Sequence, residues 1–193
     1  MQKPSTEPAR LAEFTTFMRA YKDMVFSTTT RLLGNDAQAE DISQEVFVRA
    51  YAHFDELRGS PTSGGWLKTV ATNLAINHLQ RHRRRWRLFS EMEPAQNEDS
   101  DSISGIEFPV PDSMPEELDT EQHRALIEDA LRELPADQRM ALVLYHFEDF
   151  SYQEIAARLG ASLAKVKTDI RRARLGLLPL LEARGIGRAS LDH

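Results

Sequence analysis

Apolar side chains recur at steps of three and four along most of this chain. Nowhere do they alternate with polar ones over the length of a strand. Leu11, Phe14, Met18, Tyr21, Val25 and Phe26 predict one amphipathic helix. Gly34 and Asn35 end it, and Asp36 is placed to cap the next. There Ile42, Val46, Ala50 and Phe54 follow at four-residue steps, with Phe47 and Tyr51 alongside, while Asp41, Gln44, Glu45 and Arg49 point to other faces. The stretch Arg58–Gly65 holds three glycines and a proline, which predicts an irregular loop. A third helix begins near Trp66. Leu67, Val70, Ala71, Leu74, Ile76 and Leu79 give it an apolar side, and it runs into Arg81, Arg83, Arg84, Arg85 and Arg87.

The rear of the chain follows the same period. Leu126, Ile127, Ala130, Leu131 and Leu134 form one helical stripe, stopped by Pro135. Met140, Leu142, Val143, Leu144 and Phe147 form a second. Ser151, Tyr152, Gln153 and Glu154 read as a capping box that opens a short helix ending at Leu159. Gly160 permits a tight turn, and Ser162 caps the last helix, where Val166, Ile170, Ala173 and Leu177 form an inward stripe. The expected fold class is all-α.

Charge divides the chain. The net charge of its 193 residues is −6. Yet residues 88–121 contain eleven acidic side chains and no Lys or Arg, so the remainder carries +5. Pro94, Pro109, Pro111 and Pro115 fall in the same stretch, with few large apolar residues to offset the entropy of ordering. The expected organisation is a helical domain over 1–87, an acidic flexible linker over 88–120 and a second helical domain over 121–193. Modules of this size have thin cores. The absence of cysteine excludes a disulfide scaffold, thiolate metal ligands and a cysteine nucleophile, and it fits a reducing compartment. No apolar run approaches the ~20 residues that span a bilayer, and the N-terminus lacks a signal-peptide core; a cytoplasmic protein with no membrane insertion is expected.

Two basic clusters remain, Arg81–Arg87 and Lys165–Arg174, and two such patches suit a polyanion. Ala156, Gly160 and Val166 have the spacing of a helix-turn-helix: a small residue lets two helices approach, glycine makes the turn, and an apolar residue seats the second helix. Lys165, Lys167, Thr168, Asp169, Arg171 and Arg172 are then expected outward or at its leading end, fit for a major groove. The helix from Trp66 offers Thr69, Asn73, Asn77, His78 and Arg81 on its polar face, where Asn suits base edges and Arg suits phosphates. Trp66 itself is expected in the core. His78 and His82 stand among arginines, which argues against a metal, and Asp36, Glu40, Asp41 and Glu45 lack a histidine or cavity for acid–base chemistry. Neither an enzyme nor a cofactor is expected.

These residues carry a resemblance. Asp41–Tyr51 (DISQEVFVRAY) resembles region 2.2 of bacterial sigma-70-family sigma factors of the extracytoplasmic function (ECF) group. Phe54–Gly59 (FDELRG), Trp66–Asn73 (WLKTVATN) and Asn77 are similar to regions 2.3 and 2.4. Leu134 with Pro135, Tyr152–Ala156 (YQEIA) and Arg172–Arg174 (RAR) are similar to region 4. The resemblance covers about residues 10–87 and 122–182. It implies a transcription initiation factor that binds core RNA polymerase at the β′ clamp helices and the β flap, recognises promoter DNA and promotes melting. By that resemblance Asp41, Gln44 and Glu45, with Phe47 and Val48 as apolar support, face the clamp helices. Arg58, Asn73 and Asn77 meet the melted −10 strand and a flipped base, with Arg81, Arg84 and Arg85 on phosphates. Lys165, Lys167, Thr168, Arg171 and Arg172 read the −35 duplex. The linker is expected to thread toward the active-site cleft, and an anti-sigma factor is the implied controller.

The pattern departs from the family's in two places. Ser162, Ala164 and Lys165 stand where many members have Pro and Gly-Thr, and Thr168-Asp169 where they usually have Ser-Arg. Asp169 would repel a phosphate but accept a hydrogen bond from a cytosine amino group. A stand-alone dimeric helix-turn-helix regulator leaves the Asp41–Tyr51 surface unexplained, and a sigma mimic that only sequesters a regulator calls for a further domain.

Overall fold

In the computed structural model, residues 7–90 and 121–186 are described, with the side chains of 83–90 and 121–124 excepted. The acidic linker expected over 88–120 lies almost wholly outside them. Eight helices fall within the described residues: α1 Glu7–Leu33, α2 Asp36–Ala52, α3 Phe54–Leu57, α4 Ser63–Ser90, α5 Glu121–Glu133, α6 Ala136–His146, α7 Tyr152–Leu159 and α8 Leu163–Glu182. The fold is all-α, as the apolar period requires.

Local chemistry corrects some boundaries. The cap of α2 is Asn35, whose side-chain oxygen accepts from the Gln38 amide at 3.0 Å; Asp36 is instead the first helical residue, where its charge suits the helix dipole. The irregular loop is shorter than its glycines suggest. Ser63, Gly64 and Gly65 are already helical, and the buried Ser63 hydroxyl donates to the Leu57 carbonyl at 2.6 Å. Phe54 lies on α3, where the α2 period continues after a break at His53.

The front core lies between α1, α2 and α4. Phe14 meets Tyr51 and Phe54 edge-on, with centroids at 5.0 and 5.2 Å, and Phe17 meets Phe54 at 5.5 Å. Such T-shaped pairs place a positive ring edge on a negative face, worth ~0.5–1.5 kcal/mol each beyond burial. Val25, Val46, Ala50, Leu67, Ala71 and Leu74 complete it. Trp66 is only half-buried and tilts against His53.

The second core is not confined to the rear helices. Leu131, Met140, Leu142, Leu144, Ile155, Val166 and Ile170 pack in one cluster with Leu32, Leu33, Ala39, Ala75 and Ile76 from the front. The rear module therefore completes its thin interior by borrowing apolar surface from α1, α2 and α4.

Arg139 ties this junction. Its guanidinium is buried and its partners are carbonyls: Nη2 donates to Leu33 at 2.6 Å, Nη1 to Leu134 at 3.0 Å, and Nε to Leu32 at 3.4 Å. The C-termini of α1 and α5 leave these oxygens without helical partners and carry the negative end of the dipole. Burial pulls the Arg139 pKa below its ordinary value. Gly34 adopts φ +63°, and a Cβ there would sit 2.4 Å from Arg139 Cζ. Only glycine meets both demands.

Gly34→Ala is expected to destabilise the chain by ~1–2 kcal/mol from the left-handed backbone alone, with a further loss as the guanidinium is displaced. Arg139→Ala should also destabilise, and the double variant should lose less than the two single losses together, since both break one contact. Urea unfolding of the three variants measures this; strict additivity would contradict it.

Candidate nucleic-acid interface

The helix-turn-helix is built from three local devices. Ser151 Oγ accepts from the Glu154 amide at 3.3 Å, and the Glu154 carboxylate accepts from the Ser151 hydroxyl at 2.7 Å and the Ser151 amide at 2.9 Å, which together hold the Glu154 pKa below its usual range. Gly160 takes φ 62° and ψ 37°, the left-handed turn its position requires. Ser162 Oγ accepts from the Lys165 amide at 3.1 Å and starts α8. Ile155, Val166, Ile170 and Ala173 are buried between the two helices and their supports, as the spacing predicts. Lys167, Thr168, Arg171 and Arg172 emerge exposed along the outer face of α8.

Two positions differ from expectation. Asp169 is not outward: it is buried and pairs with Lys165 Nζ at 2.9 Å. Residue 169 shares the inner side of the helix with 166, 170 and 173, so it is turned from a base edge. Lys165 is also drawn toward Asp137 at 3.4 Å, and part of its charge is used within the fold.

On α4, Asn73, Asn77 and Arg81 are exposed in succession one turn apart. Arg84 and Arg85 lie on the same helix, with side chains outside the described residues. Arg58 ion-pairs with Glu13 at 2.7 Å, which anchors the loop before α4 to α1. The adjoining stripe of α4 faces the rear module. Lys68 Nζ donates to the Phe147 carbonyl at 2.7 Å, Thr72 Oγ1 to Glu148 at 3.1 Å, and Gln80 Nε2 to the Arg158 carbonyl at 2.6 Å. Arg158 in turn donates to Asn73 Oδ1 at 2.7 Å and lies 4.2 Å over the Phe150 ring. Glu148 is buried among these groups. Desolvation pushes its pKa up, against the pull of Lys68, Thr72 and Arg31.

A third surface is an open groove between α1 and α2, about 920 Å³. Leu11, Met18 and Phe26 line it from α1, and Gln44, Phe47 and Val48 from α2. Val48 is 66% exposed, Leu11 56% and Phe26 40%. Phe47 is mostly core. Asp41 and Glu45 stand exposed on the flank of α2, and Glu45 pairs with Arg49 at 2.9 Å. The expected docking residues thus separate into an apolar trough and an acidic shoulder.

Two family descriptions match this chain: Sigma-70 region 2 over residues 17–85, and Sigma-70 region 4 over residues 124–177. The RNA polymerase sigma-E factor of Streptomyces avermitilis is 31% identical over 183 residues, covering 94% of this chain and 92% of that protein. The chain belongs to the sigma-70 family, in its ECF group. The ECF RNA polymerase sigma factor SigE of Mycolicibacterium smegmatis is 34% identical, covering 89% of this chain and 67% of its own length. A solved complex of the sigma factor RpoE with the anti-sigma factor NepR from Bartonella quintana shares 24% identity and covers 88% of this chain and 96% of that one, at a TM-score of 0.46. For this ECF sigma factor, no helix among the described residues is long and apolar enough to cross a membrane.

Sequence reasoning missed Leu11 and Phe26 as groove walls, because both fit the apolar period of a core helix. It missed Arg158 and Glu148 entirely. Their roles depend on a packing between distant segments that no local pattern announces.

Glu148 yields a test of sign. A carboxyl whose folded pKa is raised binds its proton more tightly folded than unfolded. Its favourable contribution is therefore present at low pH and is lost as pH rises from the ordinary carboxylate range through the raised value. Glu148→Gln removes that loss. The stability of the variant relative to the parent should grow as pH rises through this window, as read by urea unfolding; a constant difference would refute it.

Proposed function

We propose that this ECF sigma factor docks core RNA polymerase through the α1–α2 groove and its acidic shoulder, reads a −35 element with α8 and takes up the melted −10 strand on α4. The observation that carries this reading is the presence, on one chain, of an exposed apolar trough beside Asp41 and Glu45 together with two separate DNA-compatible helix faces. Val48, Leu11 and Phe26 are large, exposed and contiguous with Gln44, which suits a helical partner laid along the trough. Asp41 and Glu45 suit a basic partner such as the clamp helices.

On α8, Lys167, Thr168, Arg171 and Arg172 supply donors for a duplex major groove. Asp169 takes no part, since its buried carboxylate offers nothing to a cytosine amino group. Lys165 serves as a phosphate contact once released from Asp137 and Asp169. On α4, Asn73 and Asn77 meet base edges, and Arg81, Arg84 and Arg85 neutralise phosphates. An extruded base costs a few kcal/mol, which stacking and a pocket near the Arg58–Gly65 segment offset. The β flap as a second contact, an anti-sigma factor as controller, a cytoplasmic location and the absence of catalysis belong to the same reading.

Val48→Asp with Gln44→Lys is expected to lower affinity for core polymerase at least tenfold with helicity intact, because one change places a charge in the trough and the other sets a cation against the acidic shoulder. Gel filtration with purified core enzyme decides it; undiminished co-elution would contradict the docking role. Arg171→Ala should cost about 1–3 kcal/mol of promoter affinity, or a uniform loss with a shallower salt dependence if it meets only phosphate. An unchanged upstream footprint on a cognate promoter would rule out its contact.

A further inference from the structure

We propose that Asp169 and Asp137 guard Lys165, yielding its ammonium to DNA only where α8 is fully seated, so that this triad sets how strongly the chain prefers its cognate −35 duplex over other DNA. Resting on the reading of α8 given above, this makes Asp169 a positioning residue: it touches no nucleic acid and acts through Lys165. Ser162 Oγ accepts from the Lys165 amide at 3.1 Å, which fixes the backbone of Lys165 at the leading end of α8. Lys165 Nζ lies 2.9 Å from Asp169 Oδ2, one turn on, and 3.4 Å from Asp137 Oδ2 in the first turn of α6. The Lys165 side chain is 46% exposed and that of Asp169 only 11%. The ammonium therefore sits at the rim, within reach of a phosphate, while the carboxylate that holds it most closely lies inside.

Charge and burial make this hold conditional. Two carboxylates and one ammonium leave a negative charge in excess beside the face where Lys167, Arg171 and Arg172 stand exposed. That charge opposes a polyanion lying loosely over the helix. Withdrawing Lys165 leaves Asp169 as a buried charge without this partner, a cost well above that of breaking a surface pair. Every duplex offers phosphates. Only one that admits α8 into its groove brings an acceptor close enough to Lys165, with water excluded, to offset that cost. Lys165 is thus withheld from the non-specific complex and given to the specific one, and the gap between the two grows by one contact. Lys165 and Asp169 also stand at the two places where this chain departs from the family's pattern, so the pair is a feature of this chain's own recognition helix.

The holoenzyme formed with purified core polymerase tests this on two probes: a promoter-length duplex of random sequence, and the pool of chromosomal fragments that the parent holoenzyme enriches by repeated capture. Affinity is read against KCl concentration. Asp169→Asn keeps the shape of the side chain and removes its charge. On the random duplex this variant should bind several-fold more tightly, with the slope of log affinity against log salt steeper by about 0.9, the worth of one more phosphate contact. The enriched pool should gain less, so the preference for it falls several-fold. In a Lys165→Met background the same substitution should change neither slope nor preference. An unchanged slope or an unchanged preference overturns the guard. So does a gain that persists beside Lys165→Met, which is the long-range effect of one negative charge fewer. Where Asp169→Asn loses helicity, Asp137→Asn, on the more exposed partner, carries the same test. Lys167→Ala with Arg172→Ala should weaken binding to both probes. If it weakens neither, or if the parent enriches no fragments, the reading of α8 is refuted and the guard falls with it.

Discussion

The packing of the rear module on the front one centres on one buried cation. Arg139 fills the gap where α1 and α5 both end, and its planar fork donates to carbonyls that the helices themselves cannot satisfy. A buried charge is costly unless fully hydrogen-bonded. Here the partners are dipole ends from two sequence-distant modules, so satisfaction of the guanidinium requires both. If the modules separate, Arg139 regains water, but the Leu32 and Leu33 carbonyls lose a donor and the shared apolar surface is wetted. The Gly34 backbone, with φ +63° and no Cβ, is the local concession that makes room for it.

Around this centre, α4 is divided lengthwise by its own period. Ala71, Leu74 and Leu67 face the front core, the 68–72–76–80 stripe faces the rear module, and 73–77–81 remains exposed. One helix thereby packs on both cores and keeps one polar face exposed. Rotation by one residue, about 100°, separates Thr72, which is buried against Glu148, from Asn73, which is exposed and reached only by Arg158 at the margin. The exposed Asn73–Asn77–Arg81 face consequently borders the stripe that the rear module covers.

The sequence makes the local parts legible and leaves the assembly hidden. The capping box at Ser151, the left-handed Gly160 and the seating of Val166 are short-range rules, and each is realised in the structure. The two family regions are legible in such blocks, taken in order. Asp169 defeats the same reasoning: charge alone argues for exposure, but Lys165 one turn earlier neutralises it against the fold. The cap at Asn35 is an ambiguity between adjacent good capping residues. Arg58 reads as a free base-side cation until Glu13, forty-five residues away, claims it. Leu11 and Phe26 obey the helical period yet face outward, because α1 presents apolar residues on more than one side. Periodicity shows that a face is apolar without showing what covers it.

The module junction is built like a small protein–protein interface. Its centre is apolar, with Leu32, Leu33, Ala75 and Ile76 against rear residues, but its rim is polar: Lys68 with Glu148, Arg132 with Asp36, Arg31 with Glu128, and Arg158 with Asn73. Rim pairs exchange readily for water and contribute little net stability. Glu148 is the exception among them: its side chain is buried, and although Thr72 donates to Oε2 and Lys68 lies 3.5 Å from Oε1, Oε1 lacks a hydrogen bond and desolvation disfavours the charged form. An exposed trough lined by Leu11, Phe26 and Val48 supplies apolar surface to a docking helix, at ~1.5–3 kcal/mol for each large side chain fully covered.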